Sequence, residues 1–306
     1  MLSNSRAKIQ RVLIVGATHG NEFVGAYLIK KLRKHPEYVR RSTFETLTLL
    51  ANPQAFAKAR RYVDTDLNRC FRYQDLQDLT RFTYEEIRAR EINEIFGKNG
   101  KTPADVIFDL HTTTANMGLT VIIYPYSFNL QLAAYLQQMN PLVKVLILPE
   151  TEQGYSGLPS ICGWGCTIEI GAVAPGVLQA EPFQQTERLL DHALDYVERC
   201  QSQDELPSLA HRLTIYQQVG AIDYPRNVAG EIQAMIHPKL QFRDYEPLHP
   251  GDPVFLSFDG DVITYTGDST IYPIFINEAA YYEKGNAMIL AQKQKLELSS
   301  VPKGKF

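Results

Sequence analysis

The 306-residue chain is 44% hydrophobic and carries a net charge of -3, with acidic and basic residues intermixed. That composition supplies a core for one large domain or two smaller ones. It excludes the concentrated basic face that nucleic acid or an acidic membrane surface requires, so the expected partner is a small molecule. In the amino-terminal stretch MLSNSRAKIQRVLIV the apolar run is only Val12–Val15, too short for a signal sequence or a membrane span. The cysteines Cys70, Cys162, Cys166 and Cys200 form no disulfide framework. A cytoplasmic protein with reduced thiols is expected, its oligomeric state left open, a homo-oligomer included.

In chain order, Val12–Val15 reads as a strand and Glu22 to Lys34 as an amphipathic helix, followed by a strand at Leu47–Leu50 and a helix at Tyr84 to Phe96. Strands follow at Val106–Leu110 and Leu119–Tyr124, a helix at Leu130 to Met139, and strands at Val143–Leu148 and Thr167–Ile170. A helix from Pro182 to Cys200 has its proline in the first turn, where a missing N–H costs little. The alternation predicts an α/β domain with a mostly parallel or mixed central sheet flanked by helices. The polar, proline-containing QSQDELPS then reads as a linker, with a boundary near residue 204 dividing residues 1–203 from 204–306. Beyond it, Leu213–Ile222, Val254–Phe258 and Ile271–Ile276 are separated by PRNVAG, HPGD and DGD, which is turn chemistry. A smaller, mainly β domain is predicted there.

The octet VGATHGNE puts His19 and Glu22 on a strand-to-helix turn, near the carboxyl end of a strand, where open α/β sheets place ligand sites. Alone, the pair also fits a helix start with a solvated first turn. His111, ending the strand-like run of IFDLHTTT, is the candidate third ligand. Two imidazoles and a carboxylate leave zinc an open position, the pattern of catalytic sites, where the ion brings the pKa of bound water to about 7. Asp109 projects from the same strand face as His111 and either orients its ring or accepts at an ordinary strand end. Glu169, inside the apolar CTIEIG, is either an edge-strand glutamate facing water or a general base. RRYVDTDLNR supplies Arg61 to polarise a carbonyl and Asn68 and Arg69 to hold a carboxylate, unless it is a solvated loop. Tyr155 and the pair Tyr281 and Tyr282 either pack or cap a substrate. Cys162 and Cys166 flank Trp164 at neither redox nor zinc-ribbon spacing and read as buried thiols.

Taken together, VGATHGNE, RRYVDTDLNR, FDLHTTTANMG, IEIGAVAPGVLQA, HPGDP and YPIFINEAAYYEK resemble the aspartoacylase and aminoacylase-3 family of zinc-carboxypeptidase-like deacylases, over nearly the whole chain and in order. The resemblance implies one zinc per subunit on His19, Glu22 and His111, Glu169 as general acid and base, and Arg61 at the acyl carbonyl. It also implies substrate contacts from Asn68, Arg69, Tyr155 and Tyr281, and hydrolysis of N-acyl-L-aspartate. Pro159 and Gly285 stand where aspartate-specific members of the family carry an arginine and a lysine, and no Arg or Lys lies between Val145 and Glu169. Lys284 is one candidate replacement; otherwise the same chemistry on N-acetylated aromatic or neutral amino acids is implied, as in the aminoacylase-3 branch. Thr112 replaces a common asparagine. A non-catalytic binding protein of this fold would be expected to have lost a ligand or the base, and all are present.

Overall fold

The computed structural model describes residues 8–150, 154–201 and 212–298. Strand β1 (Arg11–Gly16) leads into α1 (Phe23–Lys34), followed by β2 (Glu45–Leu50), α2 (Pro53–Ala57), α3 (Tyr73–Gln77) and α4 (Tyr84–Phe96). Next come β3 (Val106–Thr112), β4 (Gly118–Ile123), α5 (Ser127–Met139), β5 (Lys144–Ile147), β6 (Gly165–Gly171) and α6 (Ala180–Gln201). The remaining elements are strands: β7 (Arg212–Ile222), β8 (Ala234–Ile236), β9 (Pro253–Ser257), β10 (Val262–Thr264), β11 (Tyr272–Ile274) and β12 (Met288–Glu297). The long elements fall where periodicity places them, with α5 starting three residues before Leu130 and α6 two before Pro182. Gln201, first residue of the expected linker, closes α6; the rest of that linker and the boundary near residue 204 lie outside the described residues.

Among the described residues the strands form a nine-stranded sheet in the order β11-β12-β7-β5-β4-β6-β3-β1-β2 and a three-stranded sheet in the order β10-β9-β8. The pairs β1–β2, β1–β3 and β3–β6 are parallel, whereas β4 runs antiparallel to β6. The sheet is therefore mixed. The carboxyl-terminal part is mainly β, and its strands β7, β11 and β12 continue the central sheet.

Burial on both faces explains the near-continuous apolar character of the inner strands. Val12, Ile14 and Phe108 pack with Leu28 and Ile29 of α1 and Leu190 of α6 on one side. Leu13, Val15 and Ile107 pack with Leu67, Phe71 and Ile92 of α4 on the other. Helix α4 begins with Glu86 returning its carboxylate to the Thr83 N–H at 3.0 Å, as in a capping box. Gly20 is required by packing: a Cβ there would lie 2.2 Å from the carbonyl carbon of Ala55, so α2 could not close on the turn after β1. Among the described residues no helix is long and apolar enough to cross a membrane.

Candidate active site

The carboxyl ends of β1, β3 and β6 converge, as parallel strands with both faces covered are built to do. His19 lies in the turn after β1, and Glu22, expected as the first helical residue, is the residue immediately before α1. His111 is the penultimate residue of β3 and stands in register with Glu169 of β6. Parallel register puts both side chains on one face of the sheet.

His19, Glu22 and His111 are all buried, and their ligand atoms lie within 4.8 Å of one another. The two Nδ1 atoms are 3.1 Å apart, with Glu22 Oε1 2.6 Å from that of His19 and Oε2 2.9 Å from that of His111. The outer nitrogens meet carboxylates: His19 Nε2 is 3.0 Å from Asp66 and His111 Nε2 2.8 Å from Asp109. Asp109 also accepts from Thr18 at 2.7 Å. It is thus an orienting carboxylate for His111. With protons on both Nε2 atoms, both Nδ1 lone pairs face inward, the tautomer that metal-ligating imidazoles use. Burial opposes ionisation of Glu22, yet the His19 and His111 rings outweigh it and hold the carboxyl well below its ordinary range. Burial likewise disfavours charge on His111, but Asp109 and Glu22 raise its affinity for a proton well above the ordinary value. The backbone N–H of Thr112 donates to Glu22 at 3.1 Å. Because any residue but proline supplies that N–H, the threonine for asparagine exchange leaves this contact intact.

Arg61 bridges Glu22 at 3.4 Å and Asp66 at 3.2 Å through its terminal nitrogens, and its Nε is buried without a hydrogen-bond partner. Asn68 accepts the Leu158 N–H at 2.9 Å, and Arg69 donates to the Asn68 carbonyl at 2.9 Å. Tyr155 stacks on Tyr124, ring centroids 3.7 Å apart. Burial pushes the half-buried Tyr281 up to about 12, so its hydroxyl stays a donor. These five residues, the His19–Glu22–His111 cluster, Glu169 and Lys284 line one cavity of about 390 Å³. Lys284 reaches Asp66 at 2.8 Å. Glu169 is buried, and among the described residues its carboxylate has no hydrogen-bond or ion-pair partner; burial raises its pKa well above the ordinary carboxylate value, against the pull of His111. Away from the cluster, burial pushes the half-buried Cys162 thiol up to about 12, which fits an inert packing role.

Two carboxylates escaped the sequence reading. Asp66 lies inside RRYVDTDLNR and gathers His19, Arg61, Lys284 and the Asn68 N–H. Its flanking arginines were the available signal. Glu278 accepts from the Thr113 hydroxyl, the Thr114 N–H at 2.8 Å, the Thr114 hydroxyl at 2.9 Å and the Ala280 N–H at 3.1 Å. It fastens the tyrosine-bearing segment to the end of β3, a contact 164 residues apart in the chain that no local pattern announces.

The succinylglutamate desuccinylase/aspartoacylase catalytic domain matches residues 8–197, and the AstE/AspA barrel-sandwich hybrid domain matches residues 211–293. The chain belongs to the succinylglutamate desuccinylase/aspartoacylase family. A probable aspartoacylase of Nostoc sp. is 53% identical over 295 residues, 96% of this chain and 99% of that protein. The N-acyl-aromatic-L-amino acid amidohydrolase (carboxylate-forming) of Rattus norvegicus is 38% identical over 309 residues, 98% of this chain and 96% of its own. The crystal structure of murine aminoacylase 3 aligns with a TM-score of 0.90 at 38% identity, over 95% of this chain and 98% of that one. Members of the succinylglutamate desuccinylase/aspartoacylase family thus share this architecture across both parts of the chain.

Proposed function

We propose that the protein is a zinc-dependent amidohydrolase that cleaves N-acyl-L-aspartate to a carboxylate and L-aspartate. The observation that carries the reading is Glu169: a buried carboxylate without a partner among the described residues, in register with His111 and lining the cavity of the His–Glu–His cluster. The donor set fits zinc, since two imidazole nitrogens and one carboxylate oxygen converge with both rings oriented from behind. Bound on His19, Glu22 and His111, zinc supplies a Lewis acid and lowers the pKa of water.

The protein's own groups do the rest. Glu169, acting as the carboxylate, takes a proton from the attacking water and, as the carboxylic acid so formed, returns it to the departing amine; burial raises its proton affinity above that of an ordinary carboxylate and so favours the uptake. Arg61 has its terminal nitrogens committed to Glu22 and Asp66, which leaves its buried Nε to donate to the charge growing on the acyl oxygen. Asn68 and Arg69 hold the α-carboxylate, Arg69 as a planar fork. Tyr281, kept protonated, donates to the substrate, and Tyr155 on its Tyr124 platform covers it.

The 53% identical relative named as a probable aspartoacylase supports the aspartate reading. A second reading keeps the chemistry and changes the side chain: Tyr124, Tyr155, Ile122 and Leu148 line the same cavity, and a 38% identical relative is named for aromatic amino acids. The kcat/KM ratio of the zinc-loaded protein for N-acetyl-L-aspartate against N-acetyl-L-tyrosine decides. A ratio favouring aspartate supports the first reading; one favouring tyrosine replaces it with the second.

A further inference from the structure

Four side chains with permanent or near-permanent positive charge line the candidate cavity: Arg61, Arg69, Arg72 and Lys284. Three have partners. Arg61 is paired with Glu22 and Asp66, Lys284 with Asp66, and Arg69 donates to the Asn68 carbonyl. Arg72 is different: its Nε is buried without a hydrogen-bond partner, and its guanidinium makes no ion pair among the described residues. A cation brought partly out of water needs an anion or a job.

Its backbone is held firmly enough to aim it. Arg72 is the residue before α3, and its carbonyl accepts the Leu76 N–H at 3.0 Å. The preceding Phe71 is buried, donates to the Ser156 carbonyl at 3.3 Å and accepts from the Ser160 hydroxyl at 3.4 Å. The loop so engaged, carrying Ser156 and Pro159 into the cavity wall, has no cation of its own. Arg72 therefore supplies positive charge to a wall that otherwise lacks it. A guanidinium presents parallel N–H donors that match a carboxylate in two-point contact.

This inference rests on the N-acyl amino acid reading, in which Arg61 faces the acyl oxygen and Asn68 and Arg69 the α-carboxylate. We infer that Arg72 is a specificity-determining residue whose guanidinium binds a second carboxylate, on the side chain of a dicarboxylic N-acyl amino acid. The anion completes the charge balance of the wall, and a substrate with a neutral side chain leaves the guanidinium unpaired.

The test compares zinc-loaded parent, Arg72→Leu and Arg72→Lys on N-acetyl-L-aspartate and N-acetyl-L-leucine. In Arg72→Leu the ratio of kcat/KM for aspartate over leucine falls by about 30-fold or more, the usual scale for truncating one partner of a desolvated charge pair. The fall is carried mainly by KM, and Arg72→Lys recovers part of it. A proportional loss on both substrates, or a parent that prefers leucine, overturns the assignment. Calorimetric binding of L-aspartate and L-leucine reads the contact without turnover: Arg72→Leu weakens only the former, and equal affinities in parent and variant overturn the contact. A parent that hydrolyses neither N-acetyl compound defeats the deacylase reading instead, and the calorimetry still tests the contact. Circular dichroism of Arg72→Leu separates a lost contact from a lost fold.

Discussion

Glu169→Gln is the sharpest test of the proposed chemistry, because the surroundings leave no substitute for the lost base. Glu22 is held by both histidines and Arg61, Asp66 by His19, Arg61 and Lys284, and Asp109 by His111 and Thr18. Glu278 is held by donors from Thr113, Thr114 and Ala280. Each is thus engaged by neighbouring groups, whereas Glu169 has no such partner among the described residues. Loss of a positioned acid–base group costs about 10²–10⁴ in rate, and with no replacement the upper half of that span is expected, about 4–5 kcal/mol of barrier. The amide is isosteric and adds no charge to a buried site, so the fold and the three-residue donor set stay intact. Initial-rate kcat on N-acetyl-L-aspartate, with zinc content measured by mass spectrometry on the same sample, reads both halves. A variant that keeps its zinc and turns over within tenfold of the parent removes Glu169 from the mechanism.

Asp66→Asn leaves His19 without its orienting carboxylate and Lys284 without its partner; metal affinity drops about 10–100-fold, measured by chelator competition, and an unchanged affinity refutes the orienting role. His111→Ala removes a donor and loses zinc and turnover together; retained stoichiometric zinc would place the site elsewhere. Arg69→Ala raises KM while kcat holds, the signature of a contact equally strong in ground and transition states, whereas a kcat loss at constant KM contradicts it. Burial lifts the Asp244 carboxyl from 3.8 to about 6, against backbone N–H groups of Ile276 and Asn116. Between those values the native state holds a proton the unfolded chain has released, so stability falls as pH rises through that window, by about 3 kcal/mol in total. Urea unfolding of the parent and Asp244→Asn at pH 4 and pH 7 isolates that change; parallel pH dependence in the two proteins refutes it.

What was legible in the sequence follows from range of interaction. Runs such as RVLIVG and VIFDLHT are apolar because both sheet faces are covered, and that requirement is written residue by residue, so strands and long helices are readable. His19 and Glu22 share one turn, and together with His111 as a third candidate they raise a ligand set. Other short elements were not readable: α2 and α3 span five residues each, and β8 and β10 three each, too little for a period to show.

The tertiary structure decided everything that depends on strands distant in sequence lying side by side. The register of β3 on β6 sets Glu169 beside His111, and only that pairing separates a carboxylate at the cluster from one facing water. The continuation of the sheet through β7, β12 and β11 brings Glu278 and Lys284 back to the cluster, where they meet Thr114 and Asp66. Lys284 reaches the cavity but is already paired, whereas Arg72, unremarkable in the sequence, lines it without a partner among the described residues. Charge type is a property of one residue and can be read from the chain; whether that charge is paired depends on geometry across the fold, so only the packed structure shows which cations remain available to a substrate.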